Sequence, residues 1–442
     1  MMKKNLLLII IISTLFSCKK DLQPDVTPTD LDVKVAFDLA NSGYTFPLSN
    51  ITVKIKSLTS GKSRSFITDD KGFGTFKDLP AGRYDVDVSY EISAANYTAI
   101  TGILTSKPVI FNASEKNKLV NRDNTTQLNL NLKAGTIGTW LVKQVYYAGS
   151  DRTLGALYRD QFIEIYNNTN EIMYADSLYI TEIWGRQSTT NTTYNLQANG
   201  QYDWSKSLNM IATDGDPNSD FIYAKTLCMI PGSGKTHPVK PGESIVLAQT
   251  ALNHKSPFTG TDGQTISVRN PELTVDLSKA DFEAYYGSFV PKPLDSDIDN
   301  PLVPNVEVLS YTGTDMILDN TGRTGIAIFK VDKTQDVKNW PMYNEPSKNV
   351  PSTTARKYFQ IPTKYIIDAM EIQPNVATSR LPKKLSADLD AGFTFTPKGA
   401  YTSQSVIRKT DRIENGRVIL KDTNNSTEDF DFLDLALPRA FK

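Results

Sequence analysis

The stretch TDDKGFGTFKDLPAGRYDV, Thr68 to Val86, holds two turns and the strands they join. Asp70-Lys71-Gly72 reads as a turn in which glycine supplies the positive φ. Gly72 and Gly74 together suggest a phosphate loop, but no helix follows to aim backbone amides at an anion. Leu79-Pro80-Ala81-Gly82 is a second tight turn, and after it Tyr84, Val86, Val88 and Tyr90 alternate with polar residues. A period of two is the mark of a half-buried strand.

The same alternation extends outward. Leu31, Val33, Val35 and Phe37 alternate in LDVKVAFDL, and Ile51, Val53 and Ile55 do so in ITVKIKSL. Ser60 to Lys62 form a turn before the strand SRSFIT, and TQLNLNLKAG supplies a closing strand, with a boundary near Gly135. Thr68, Asp69, Gly72, Phe76, Leu79, Pro80, Gly82, Tyr84 and Val86 follow the pattern T-D-x-x-G-x-x-x-F-x-x-L-P-x-G-x-Y-x-V. On those residues the stretch resembles the carboxypeptidase-regulatory or prealbumin-like β-sandwich family. That resemblance implies a sandwich used as a spacer or docking module, with no activity of its own.

Beyond residue 135 a second β pattern begins. In FIEIYN, Phe162, Glu164 and Tyr166 point one way and Ile163 and Ile165 the other, ahead of a turn at Asn167 to Asn170. Glu164 is a carboxylate among aromatics. It reads as a general acid or as a strand residue bonded to a neighbouring loop, and no second carboxylate at fixed spacing favours the first. YYAGS, FIEIYNNTNEIMYADSLYI, VKPGESIVLAQ (Val239 to Gln249), SVIRK and DTNNSTEDF (Asp422 to Phe430) resemble elements of the lamin-tail domain, an immunoglobulin-like sandwich. The expected fold is therefore all-β: residues 30–134 as a prealbumin-like sandwich and 135–442 as a lamin-tail-like one, with long insertions near 185–235 and 255–400. Within the insertions, residues 276–287 (DLSKADFEAYYG) read as a helix capped by Asp276 or Ser278. KYFQIPTKYIIDAMEI reads as a strand and a short helical turn. The order of elements also resembles an uncharacterised family of Bacteroidota lipoproteins, often found beside TonB-dependent outer-membrane transporters.

The chain starts MMKKNLLLIIIISTLFSC. Lys3 and Lys4 precede an apolar run from Leu6 to Phe16, too short for a span of about 20 residues. It reads as a signal segment, residues 1–17. Leu15-Phe16-Ser17-Cys18 resembles the bacterial lipobox, which implies acylation of Cys18. Two or more acyl chains anchor a protein stably. Residues 18–29, polar with two prolines, then form a tether. The expected location is the outer membrane, with the leaflet open, since Lys19, Lys20 and Asp21 match a surface-export tag only loosely.

Lys plus Arg is 48 and Asp plus Glu is 49, which speaks against a nucleic-acid partner. Cys228 is the only cysteine besides Cys18, so no disulfide forms within the mature chain, and its setting reads as a buried small hydrophobe. Gly234-Lys235-Thr236 ends like a P-loop, but Met229 stands where the first glycine is required and Pro238 and Pro241 follow. His237 and His254 sit in no recognisable triad or zinc pattern. Asp214, Asp216, Asn218 and Asp220 alternate in DGDPNSD, as do Asp295, Asp297 and Asp299 in DSDIDN. Such spacing wraps a calcium ion or makes a solvated turn, and neither loop keeps the glycine and glutamate of an EF-hand. The first loop is the calcium candidate; no other cofactor is expected. Trp184, Tyr194, Tyr202, Trp204, Tyr223, Phe258, Tyr285, Tyr286 and Phe289 offer a sugar- or peptide-stacking platform, or simply core.

The reading these residues favour is a non-catalytic, lipid-anchored binding or accessory module, partnering an outer-membrane transporter in nutrient capture. The alternatives are a secreted-type hydrolase with carboxylates in the insertions, and a structural adhesin or spacer.

Overall fold

The computed structural model describes residues 28–37, 45–101, 108–123, 127–134, 139–169, 171–212, 215–332, 334–414 and 416–442. The signal segment, Cys18, most of the tether, Gly135 and Asp214 lie outside the described residues.

Seven strands form the first sheet, in the order Ser63–Ile67, Thr52–Ser57, Gly82–Ile92, Val109–Val120, Leu128–Ala134, Thr29–Phe37, Phe73–Leu79. The alternating apolar residues all face one core: Leu31, Val33, Val35, Ile51, Val53 and Val86 are each fully buried. The two ends of the sheet come together over that core. Phe66 on one end strand meets Phe76 on the other, ring centroids 4.7 Å apart. Gly74 makes room for it, since a Cβ there would lie 2.2 Å from the Phe66 ring. The closing strand Leu128–Ala134 pairs parallel with Thr29–Phe37 and antiparallel with Val109–Val120, locking the first and last strands of this sandwich together.

The turn residues each hold a backbone group. Asp69 Oδ1 accepts the amides of Lys71 and Phe73, at 2.9 and 2.8 Å. Gly72 takes φ +73°, and its Cα lies so close to the Val35 carbonyl that a Cβ would sit 2.3 Å from the oxygen. The Thr68 hydroxyl accepts the Ile51 amide and donates to the Leu48 carbonyl. The Tyr84 hydroxyl donates to the Pro80 carbonyl at 2.6 Å, pinning the Leu79–Gly82 turn.

Two further sheets face each other. One has six strands, in the order Phe282–Glu283, Ser244–Ala248, Phe162–Asn167, Trp140–Tyr146, Ser405–Arg408, Phe430–Leu433. The other orders Met342–Tyr343, Tyr358–Pro362, Phe221–Met229, Tyr179–Trp184, Gly325–Phe329 and Ile366–Glu371, with Glu307–Ser310 also paired to Phe221–Met229. Ile163, Ile165, Val142 and Leu247 of the first pack against Ile180, Ile326, Ile328 and Met370 of the second. Most of this second sheet comes from the stretches read as insertions, which are therefore framework and not appended loops.

The helix expected over 276–287 is absent. Asp276 accepts from Ser278 in a local turn, and Leu277 and Asp281 donate to the carbonyls of Leu252 and Val246. Phe282–Glu283 then pairs parallel with Ser244–Ala248. Phe282, Ala284 and Tyr286 are buried in the same core, a period of two hidden by helix-forming neighbours. By contrast, Tyr358–Pro362, a 3₁₀ turn at Thr363–Tyr365 and Ile366–Glu371 follow the strand-and-turn expectation, with a second strand after the turn.

The SVIRK and DTNNSTEDF elements meet at Arg408. Its guanidinium reaches Asp368 at 2.7 Å, Asp422 at 3.2 Å and Asp429 at 3.5 Å, and donates to the Val142 carbonyl. Burial works to lower its pKa, but the three carboxylates hold the guanidinium above its ordinary value. Asp368 lies in one sheet and Arg408 in the other, so this buried ion pair ties the layers together.

The first sandwich sits against the second through hydrogen bonds. Asn112 Nδ2 donates to the Thr423 carbonyl at 2.7 Å and Ser114 Oγ to the Ala391 carbonyl at 2.8 Å.

Candidate functional site

The aromatic residues of the second sandwich sort into core and groove. Trp204 stacks on Tyr223 at 3.6 Å within a buried cluster with Tyr202, Tyr343 and Tyr358, and Trp184 stacks on Tyr358. Tyr286 is in the inter-sheet core. Apart from Tyr343, which also lines the groove described below, these rings are structural. Sequence reasoning missed a different set: Tyr179, Phe329, Trp340 and Tyr365 form a stacked column, with successive centroids 4.7, 5.9 and 5.6 Å apart. They are far apart in sequence, and only strand pairing brings them into line.

The end of this column opens on a groove of about 760 Å³, at the edge strand Met342–Tyr343. Trp340, Tyr365, Tyr343 and Phe221 form its apolar walls; Gln335, Gln360, Asp220, Thr363 and Lys364 supply polar atoms. The Lys364 ammonium lies 5.1 Å from the Tyr365 ring centroid. Asp220 joins one wall because its carbonyl accepts the Thr363 amide at 2.9 Å. With one carboxylate among its lining residues, this groove can stack and hydrogen-bond a ligand, but it does not offer the carboxylate pair that glycoside hydrolysis uses.

The calcium candidates lie beside this groove. Asp216 Oδ1 accepts the Asn218 amide, Asp220 Oδ2 accepts the Asp216 amide, and Asn218 Oδ1 accepts the Trp204 amide at 2.8 Å. These oxygens close an acidic turn and dock it on Trp204, while Asp214 lies outside the described residues. Among the described residues, no three His, Cys, Asp or Glu side chains converge as a metal site.

Glu164 is fully buried and saturated. Its carboxylate pairs with Lys143 at 2.9 Å and accepts from Ser244 Oγ, Gln144 Nε2 and the Arg439 amide. It therefore knits two strands to the C-terminal segment. The Gly234-Lys235-Thr236 loop does point amides at an anion, and the anion is the protein's own. Asp176 accepts the amides of Gly234, Thr236 and His237, which hold its carboxyl well below the usual range against the opposing effect of burial. Cys228 is buried in the inter-sheet core, and burial pushes its thiol up to about 12. His237 packs edge-on to Phe282; His254 is buried with Nε2 on the Thr250 carbonyl.

A second polar group lies away from the groove. Glu283 accepts the amides of Ala251 and Asn300, which pins two loops to a sheet edge. Burial pushes the carboxyls of Glu283, Asp297 and Asp315 up to about 7. Asp295 and Asp299 stay near the surface: Asp295 accepts from Thr261 and Asp299 from Asn305.

Residues 240–435 match a family described as a protein of unknown function (DUF4876). The match spans less than half of the chain. Among solved structures, the chain is similar to a DUF4876 family protein from Bacteroides thetaiotaomicron VPI-5482. The two are 23% identical, with 91% of this chain and 95% of that chain covered at a TM-score of 0.51. The likeness is one of fold. A "putative adhesin" from Bacteroides ovatus is 13% identical over 58% of this chain and 87% of that one, but a TM-score of 0.16 carries no structural argument. No curated protein matches. The family match agrees with the expectation of an uncharacterised family.

Proposed function

We propose that the protein is a non-catalytic binding module of the cell envelope, lipid-anchored at Cys18, which docks an extended segment of an outer-membrane transporter in the groove at Trp340 and Tyr365. The observation that carries this reading is the groove itself. It runs along a sheet edge, its aromatic walls are held rigid by the four-ring column, and Gln335 and Lys364 stand exposed at its rim. Rigid aromatic walls with a polar rim suit an interface anchor. In this reading the first sandwich is a spacer between the anchor and the binding module.

A photo-crosslinking residue placed at Lys364 in the native host tests the idea. An adduct with a barrel protein is expected there and not at Lys62, an exposed turn residue of the first sandwich. No adduct at Lys364, or equal adducts at both positions, overturns the assignment of the groove.

A further inference from the structure

We propose that the loop carrying Asp297 and Asp315, together with Gln249 at the end of the strand Ser244–Ala248, encloses a binding site for one hard divalent cation, with calcium the best fit to an all-oxygen donor set.

All three side chains are buried: Asp297 and Asp315 are each 1% exposed and Gln249 is 0% exposed. Asp297 Oδ2 accepts the Tyr286 amide at 3.0 Å. Asp315 accepts the Met316 amide and Gln249 Nε2, both at 2.6 Å. Two oxygens are left over. Asp297 Oδ1 and Gln249 Oε1 are buried and accept no hydrogen bond of ordinary geometry, although the Gly287 amide lies close enough to the Asp297 carboxyl to favour its charge. The Gln249 orphan is not an artefact of amide orientation, because turning the amide over would set its oxygen against the Asp315 carboxylate. The two acids are eighteen residues apart in sequence, but the Leu294 amide donates to the Thr314 carbonyl and Asp297 donates back to Leu294, so one loop presents both.

The charge balance points the same way. Neither carboxylate forms an ion pair among the described residues, and no lysine or arginine is among the groups that set their acidity. Burial first, and then the neighbouring Asp315 charge, disfavour ionised Asp297. Buried carboxylates are ordinarily paired with a cation or coordinate a metal. Calcium takes six to eight oxygens. Here two carboxylates and one amide oxygen supply the side-chain share, with backbone carbonyls or water completing it. The competing arrangement is a proton in place of the cation, with the acids neutral and a water bridging the orphan oxygens. A cation here staples the 294–316 segment, which carries the strand Glu307–Ser310 of the facing sheet, to the six-stranded sheet.

The test uses the full chain, stripped with chelator and then exposed to calcium chloride at pH 8, where protons no longer hold the acids neutral. Elemental analysis after desalting should find one calcium per chain. Thermal unfolding should shift up by about 5–10 °C when calcium is near 100 times Kd. Asp297→Asn keeps an acceptor for the Tyr286 amide but removes a charge. It should lose the bound calcium and the shift, and without metal it should melt at or above the metal-free wild type. No calcium retained by the wild type and no shift overturns the proposal. So does a shift that survives in both Asp297→Asn and Asp315→Asn. If either variant fails to fold, the wild-type titration decides.

Discussion

His254 shows how a single buried residue sets a pH dependence. It is 2% exposed, its Nε2 donates to the Thr250 carbonyl at 3.0 Å, and its Nδ1 has no partner. Burial, with a smaller contribution from the Arg159 charge, lowers its pKa to about 4 from 6.5. Between those values the unfolded chain binds a proton that the folded chain refuses. Stability contributed by the neutral ring is therefore complete above pH 6.5 and declines as pH falls toward 4. By pH 5 the loss is about 2 kcal/mol relative to neutral pH. Urea unfolding at pH 7 and pH 5 should show that loss in the wild type and a smaller one in His254→Gln. The other buried acids, Asp160 among them, act in both proteins and cancel in the comparison. Equal slopes for the two would sink the assignment. Arg408 is a different kind of buried charge: it is paired three times over, and its role is to join layers, not to respond to pH.

At the scale of elements, the first sandwich was largely legible because strands such as Thr29–Phe37 and Thr52–Ser57 alternate between core and water. Its signature residues also have local jobs that sequence spacing reveals. Gly72 is the clearest. It needs φ +73° and also abuts the Val35 carbonyl, where a Cβ would lie at 2.3 Å. Gly61 has φ +68° with nothing within 4 Å. A left-handed conformation costs an L-residue about 1–2 kcal/mol. Gly61→Ala should therefore lose only about that much, while Gly72→Ala should lose clearly more, because the strand Thr29–Phe37 must also shift. Denaturant midpoints of the two variants check this, and equal losses would show that the carbonyl contact is not tight. The second sandwich was less legible for a physical reason. Trp140–Tyr146 and Phe162–Asn167 are buried on both faces, so alternation is erased, and Phe282–Glu283 sits in a stretch whose Asp, Ser, Lys and Ala residues mimic a helix start. The groove was illegible for a further reason: Trp340 and Tyr365 lie in segments outside the strands and meet only because Met342–Tyr343 pairs with Tyr358–Pro362. The Asp297 pair was visible as an acidic run, but its burial and its partner Asp315 were not.

At the scale of the whole molecule, a spacer works only if it holds a fixed angle to the module it supports. Asn112 is fully buried, and its amide donates to Thr423 in the same DTNNSTEDF element that supplies two of the acids around Arg408. Ser114, two residues along the same strand, donates to Ala391. Lys54 and Glu428, 3.8 Å apart and both largely exposed, add little, as surface pairs typically contribute under about 1 kcal/mol. Among the described residues the joint combines two side-chain hydrogen bonds reaching from one strand into the second sandwich, each ordinarily contributing about 0.5–1.5 kcal/mol, with the Lys116 ammonium 6.0 Å from the Phe393 ring centroid. That is little beside the stability of either core, so removing both should leave the sandwiches folded and free the angle between them. The Asn112→Ala, Ser114→Ala double variant should keep its circular dichroism spectrum, while small-angle scattering shows a broader distance distribution. An unchanged scattering profile would mean that the joint is held by packing at the interface and not by these bonds. It would also make the first sandwich an integral part of the binding module, not a separable spacer.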